Sequence, residues 1–417
     1  LKVILWYNTY MWEKKVERKE LMKKTLKILA SFIFAAILFA EVPEPKISGI
    51  DFYLINVETP RHFSFGDWNS RQHLFLRVRS GNFEGWGECV LSANNPDIDL
   101  KKCADAMKPV LGKTPSEALQ YMRGNRDFLP WKEYEALNMA LWDICAKIKN
   151  VPAVKLLGLS QNVPVNGMFC ILENDPKKVV ERAEEAKKSG FSRYIKLKIF
   201  GNAELDCKLV SALRGAMGNE CFIVADANCG YRGFDNLKEL SKTLKKLRSA
   251  GLDALEDPAK LNDSDMAELQ KLCRPFGLSL IPDVNLRPAW RALEFSPKGM
   301  GDFYNLHPGC MGDLYDMAQF AKKISSWGTK IMIGDDSIIG PGCAIFQQIA
   351  VSSAAAWCEA MEKPSESNVF AECLVESPVE KSRDGKLTVK GRAAGWGLKV
   401  DSSKLAEKAA RTLSMGL

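Results

Sequence analysis

Histidine is scarce in this chain, with 3 among 417 residues. No two of its 12 cysteines stand in C-x-x-C spacing, which excludes zinc-ribbon and dithiol redox motifs. No Gly-x-Gly-x-x-Gly follows the first apolar run, so a dinucleotide fingerprint is missing. Net positive charge is also nearly absent from the body. The net +7 falls to +2 once residues 1–27 are set aside, so no nucleic-acid footprint is indicated. Hydrophobic content of 46% and charged content of 26% are ordinary for a soluble globular protein, and the length suits two domains.

The N-terminal basic excess has its own meaning. From Met22 the chain reads M-K-K-T-L-K, then an apolar run ending at Ala40, then E-V-P-E-P. A basic start, 13 mostly apolar residues and a small residue before a polar stretch match a secretory signal peptide. The run falls short of the ~20 residues that span a bilayer. Residues 1–45 are thus an upstream extension plus signal peptide, and the mature form is expected to be exported and not membrane-bound. Without the signal peptide it would be cytoplasmic, and a buried N-terminal helix is the alternative for the run. The scattered cysteines sit mostly in apolar runs and read as buried thiols.

The middle of the chain repeats a pattern about every 27 residues. Short apolar runs end in polar residues, and helical stretches follow. The runs lie at 163–170, 194–198, 222–226, 252–256, 278–283, 303–307, 330–334 and 353–359. Eight such units predict an α/β fold, a (β/α)8 barrel over residues 161–374. A doubly wound open sheet is the alternative. Residues 46–80 alternate apolar and polar, as antiparallel strands do, and 101–158 read as helices. The stretch 46–160, joined by 375–417 with its D-G-K-L-T-V hairpin signal, is expected to form an α+β cap.

Barrel chemistry sits where strands end. Lys196 and Lys198 end the second strand, and Asp226, Glu256 and Asp283 end the third, fourth and fifth. Neighbouring strands are about 4.8 Å apart, so the three acids converge. Converging carboxylates repel unless a cation lies between them, and hard oxygen ligands with room for substrate suit Mg2+. Each acid alone also reads as a helix N-cap. Lys196 and Lys198 are two apart on a strand and share a face. Mutual repulsion and desolvation are expected to lower a lysine pKa there, making one a general base.

These residues carry a resemblance. The Lys-x-Lys, Asp…Glu…Asp order resembles the enolase superfamily, its mandelate racemase/muconate lactonizing subgroup. G-W-G-E-C (85–89), E-A-L-N-M-A-L-W-D-I-C-A-K (135–147), V-P-A-V-K-L-L-G (151–158), V-A-D-A-N (224–228), L-E-D-P (255–258) and R-A-A-G-W-G-L-K-V-D (392–401) are similar to its motifs. The resemblance implies proton abstraction next to a carboxylate through a metal-stabilised enediolate, on a small carboxylate substrate, in a homo-oligomer. It implies Asp226, Glu256 and Asp283 as Mg2+ ligands, Lys198 as principal base, Lys196 as its electrostatic neighbour and Asn228 beside the metal. Racemisation or epimerisation, cycloisomerisation and dehydration as in o-succinylbenzoate synthase are all open.

Departures narrow the choice. The subgroup's sixth strand ends in lysine, often within N-I-K-P-G-R-x-G-G, whereas residues 305–313 read N-L-H-P-G-C-M-G-D. His307 takes the lysine's place, as a second acid/base group or a spectator; imidazole is the side chain that titrates near neutrality. The acid pair of dipeptide epimerases at the eighth strand aligns with Ala360 and Glu362, so an ammonium-binding pair is incomplete. Asp335, Asp336 and Ser337 lie at the seventh strand's end, as substrate contacts or helix caps. In the cap loop 62–71, His62, Trp68 and Arg71 are specificity candidates. Two other readings stay open: a non-catalytic metal- or carboxylate-binding relative, and a Schiff-base aldolase, which uses Lys198 but leaves the three acids unexplained.

Overall fold

The computed structural model describes residues 44–361 and 373–417. The signal-peptide pattern and Glu362 lie outside the described residues.

Strands β1 (Ile47–Phe63), β2 (Gly66–Ser80) and β3 (Phe83–Ala93) form an antiparallel sheet, extended beyond β1 by the C-terminal strand Arg411–Gly416. Strand alternation gives β1 two buried faces. Ile50, Phe52 and Leu54 join the main core, while Tyr53, Ile55 and Val57 pack with Trp86 and Leu405 of the helix Ser402–Lys408. The helix Trp131–Ile148 lies against β3. A Cβ on Gly85 or Gly87 would stand 2.0 or 1.9 Å from the carbonyl oxygens of Ala140 and Ala136. The two glycines of G-W-G-E-C therefore permit that close approach. Glu88, next in the motif, accepts from the amides of Ile339, Gly340 and Gly342 and pairs with His73, so a cap strand caps the barrel helix Pro341–Ser353.

The barrel forms as expected. Its strands are β4 (Val165–Gly167) with β5 (Phe169–Ile171), β6 (Tyr194–Lys198), β7 (Phe222–Asp226), β8 (Ala254–Glu256), β9 (Ser279–Ile281), β10 (Phe303–Leu306), β11 (Lys330–Ile333) and β12 (Trp357–Cys358). Parallel pairing runs β5 to β9 and β10 through β12 to β4. β4 and β5 are one strand interrupted at Met168, and Asn305 N donates to Pro282 O beyond β9, so the ring closes.

Period-two alternation sorts each strand. Ile195, Leu197, Ile223, Leu255, Leu280 and Leu306 face the helices. Met168, Val224, Ala254, Ile281, Phe303, Met332 and Trp357 fill the interior. Trp357 lies 4.6–5.5 Å, ring to ring, from Phe303, Tyr194 and Phe222 and plugs the lower end. Two residues further up, the inward positions are Lys196, Asp226, Glu256, Asp283, Asn305 and Glu359. The floor is apolar and the mouth charged.

The D-G-K-L-T-V hairpin forms, but Lys386 and Leu387 pair with Asn166 and Val165 of β4, so it docks on the barrel. The interruption at Met168 leaves β4 with that free edge. Only the last strand returns to the cap sheet. Asp143 accepts from the amides of Trp396 and Trp86 and so ties G-W-G-L to the cap helix. Nine of the twelve cysteines are buried. Among the described residues no helix is long and apolar enough to cross a membrane.

Candidate active site

The strand-end acids are spared capping. Asn202, Asn236 and Asn262 cap the helices after β6, β7 and β8, and the helix after β11 is capped by Glu88. Asp226 and Glu256 are direct partners in the β7–β8 register, and both are buried. Asp283 follows β9 in its inward direction. The Lys196 ammonium lies among the acids, 2.7 Å from Glu359, 3.0 Å from Glu256 and 3.2 Å from Asp226. Lys198 Nζ stands 2.5 Å from Asp226 Oδ2 and 3.3 Å from Asn228 Oδ1, whose own amide N–H donates to Asp226.

The expected lowering of the lysine pKa is not found. Burial works to lower both lysines, but both are raised, Lys196 strongly. For Lys198 the attraction of Asp226 outweighs burial and the repulsion of Lys196. Glu256, Glu359 and Asp226 do the same for Lys196. Strand spacing sets the two ammonium groups against each other but does not show how near the acids come.

The acids differ among themselves. Burial and then Asp226 push Glu256 well up. Burial works the same way on Asp226, but Lys198 and Lys196 hold it far below the usual carboxylate range. Glu256 Oε2, 3.0 Å from Lys196, still lacks hydrogen-bond geometry to any partner. A buried carboxylate oxygen with no hydrogen bond, between two further acids, fits a hard divalent cation. Asp283 is gripped by Arg287, whose Nε and Nη2 both donate to Oδ1 and whose Nη2 also reaches Oδ2 at 2.6 Å, which leaves a lone pair on Oδ2. Glu256, Asp283 and His307 present ligand atoms within 4.8 Å of one another, so His307 reaches the acid cluster itself.

His307 stands one residue beyond β10. Its Nδ1 lies 3.0 Å from Asp336 Oδ1, and its Nε2 lies 2.9 Å from Asn305 Nδ2. Asn305 Nδ2 also donates to Glu256 Oε1, a carboxylate that can only accept, so this nitrogen is a donor. Nε2 therefore accepts and Nδ1 carries the proton toward Asp336. Burial works against the Asp336 charge, but His307 holds its carboxyl far below the usual range. A Cβ at Gly334 would stand 2.2 Å from His307 Nε2, so only glycine leaves room for the ring.

The cap closes on this mouth as a hairpin. The expected loop 62–71 is the turn and strand ends between β1 and β2. Phe63 covers Lys198, its ring centre 5.5 Å from Nζ, and Ser64 Oγ donates to Asn228 O. Trp68 packs tilted on Phe63, 4.8 Å between ring centres. Arg71 is fully buried and donates to the Ser337 carbonyl, while Arg61 donates to Ser337 Oγ at 2.7 Å. His62 pairs with Asp67 across the turn. Asp335 is half-buried at the end of β11.

The sequence reading did not single out Arg61, Asn305 or Glu359. The period-two count that leads from Tyr194 to Lys196 also leads from Trp357 to Glu359 and from Phe303 to Asn305. Arg61 carries no comparable signal.

A capped eight-stranded barrel with acids, lysines and a histidine at its mouth defines a class of barrel enzymes. The chain belongs to the enolase superfamily, in its mandelate racemase/muconate lactonizing enzyme group. The family model "Enolase C-terminal domain-like" matches residues 178–404, and that of the mandelate racemase/muconate lactonizing enzyme N-terminal domain matches 50–158. An N-succinylamino acid racemase of Thermus thermophilus is 29% identical over 81% of this chain and 90% of its own. A chloromuconate cycloisomerase of Pseudomonas putida is 23% identical over 86% and 98%. The dipeptide epimerase of Cytophaga hutchinsonii, solved with Mg and D-Ala-L-Val, superposes with a TM-score of 0.74 at 17% identity, covering 89% of this chain and all of that one. The chain is thus an enzyme of an isomerase and lyase superfamily.

Proposed function

We propose that the protein is a Mg2+-dependent racemase or epimerase that moves a proton at the carbon next to a substrate carboxylate. The observation that carries this reading is the opposition of two proton-transfer groups. Lys198 ends the second barrel strand and His307 follows the sixth. Four strands apart in a ring of eight, they face each other across the mouth. A racemase needs such a pair, because the proton leaves one face and returns to the other.

Asp226, Glu256 and Asp283 are the residues that would hold the ion, and Mg2+ bound there supplies a positive charge for the carboxylate oxygens as the proton leaves. Lys198 Nζ exchanges the proton on one face. Asp226, were its charge shared with a cation, would hold the Lys198 ammonium less tightly, which eases loss of the lysine proton. His307 Nε2, already an acceptor, takes or gives the proton on the other face, and Asp336 holds Nδ1–H and steadies the imidazolium that forms. Lys196 keeps a positive charge beside the reacting carboxylate, and Asn228 positions Lys198. The hairpin carrying Phe63 and Trp68, tied down through Ser337 by Arg61 and Arg71, excludes water above Lys198. Asp335 and the eighth-strand Glu359 face the remaining sides. In this reading 46–160 with 402–417 act as the cap and 161–374 as the barrel, on which the hairpin at Lys386 docks.

The kinship with an N-succinylamino acid racemase makes N-acylated amino acids the first substrates to try. Each enantiomer is followed in deuterated water. His307→Asn is expected to abolish α-hydrogen exchange from one enantiomer and spare the other. If both exchange as in the unaltered enzyme, the two-base reading fails. A one-base cycloisomerisation or β-elimination on the Lys198 face then takes its place.

A further inference from the structure

A second ligand set stands behind His307. His307 Nδ1, Cys310 Sγ and an Asp336 carboxylate oxygen lie within 4.8 Å of one another. Asp336 Oδ1 is the hub, 3.0 Å from Nδ1 and 3.1 Å from Sγ. Zinc bonds of 2.0–2.3 Å in tetrahedral array separate ligand atoms by about 3.3–3.8 Å, so small adjustments suffice. Lys132 and Arg287 lie near Asp336 and Glu135, yet carboxylate oxygens are left over. Asp336 Oδ2 is buried without a hydrogen-bond partner, on a side chain 7% exposed. Both oxygens of Glu135, itself 1% exposed, are buried and likewise lack hydrogen-bond partners. Glu135 packs directly on Gly309, the residue before Cys310, where a Cβ would overlap its carboxylate.

We propose that His307, Cys310 and Asp336 form a site for a soft divalent cation, Zn2+ in the first instance, distinct from the Mg2+ ligands. One nitrogen, one sulfur and one oxygen donor with an open fourth position is a zinc-type donor set, and the thiolate selects against Mg2+. Binding releases one proton and moves another: the Cys310 thiol proton leaves to solvent, and the Nδ1 proton moves to Nε2. With the ion on Nδ1, the protonated Nε2 gives up the hydrogen bond from Asn305 Nδ2 and turns to Asp283 Oδ2, 3.5 Å away. His307 then no longer accepts a proton. In the proposed reaction, on which this one consequence rests, Zn2+ would silence the His307 face alone.

Co2+ serves as the probe, titrated into the full chain under excess Mg2+. A near-ultraviolet sulfur-to-cobalt charge-transfer band should grow to one equivalent and bleach when Zn2+ is added. Cys310→Ser should remove the band. Asp336→Asn should keep it and weaken Co2+ affinity at least about 10-fold, the least expected when a metal site loses even an outer-shell partner. Absence of the band in the unaltered chain overturns the proposal, as does an undiminished band in Cys310→Ser. If that variant does not fold, unchanged affinity in Asp336→Asn overturns it. None of these readouts involves turnover, so they stand apart from the racemase test.

Discussion

At the scale of single residues the site depends on which atoms touch. Lys198 has Asp226 at 2.5 Å and a phenyl ring overhead, while Lys196 is surrounded by three acids. Only Lys198 is placed to release its proton upward into the mouth. Lys198→Met should therefore cut α-hydrogen exchange by at least about 100-fold, the low end for general-base catalysis. Exchange that persists with a turned-over substrate would assign the base elsewhere. Gly334 is a second single-atom constraint. A methyl group there would occupy the position of His307 Nε2, so Gly334→Ala must turn the ring away. The expected result copies His307→Asn: exchange lost from one enantiomer and kept from the other, with circular dichroism unchanged. Equal loss from both would mean that the substitution disturbs the barrel itself.

At the scale of elements, the strands were the most legible part of the sequence. Each buries one face against helices and one in the interior, and a slip of one residue would exchange Leu197 for Lys198. The acids at 226, 256 and 283 could be read for the same reason. The lid over them could not. Arg61 meets Ser337 across 276 residues, and the register of β1 on β2 that brings Phe63 over Lys198 leaves no periodic trace. The lysine pKa was misjudged likewise, because strand spacing does not give side-chain distances. Glu88 shows how such distant contacts bind elements together. Its carboxylate accepts three backbone amides at the start of the helix Pro341–Ser353. Glu88→Ala strands those donors in a buried place. At about 1 kcal/mol each as a minimum, the loss should reach about 3 kcal/mol. Urea unfolding measures it, and a loss below about 1 kcal/mol would mean that water replaces the carboxylate.

At the scale of the whole molecule, a cation that binds only the folded barrel must also stabilise it. At 100 times its dissociation constant the gain is about 2.7 kcal/mol, and for a chain of this size that is roughly 3–4 °C in Tm. The choice of control follows from the charges. Asp226 is the acid paired with the buried Lys198 ammonium, while Lys196 keeps Glu256 and Glu359, so Asp226→Asn strands Lys198 and should itself cost about 3–5 kcal/mol. Glu256 is the acid whose charge burial and Asp226 oppose, and its Oε2 has no hydrogen-bond partner to lose. Glu256→Gln should therefore fold with little loss and lose the cation. The expected pattern in thermal unfolding is a Mg2+-dependent rise for the unaltered chain and a flat response for Glu256→Gln. Calorimetric Mg2+ affinity should vanish in parallel. An equal rise in both proteins would place the ion elsewhere and remove Asp226, Glu256 and Asp283 as its ligands.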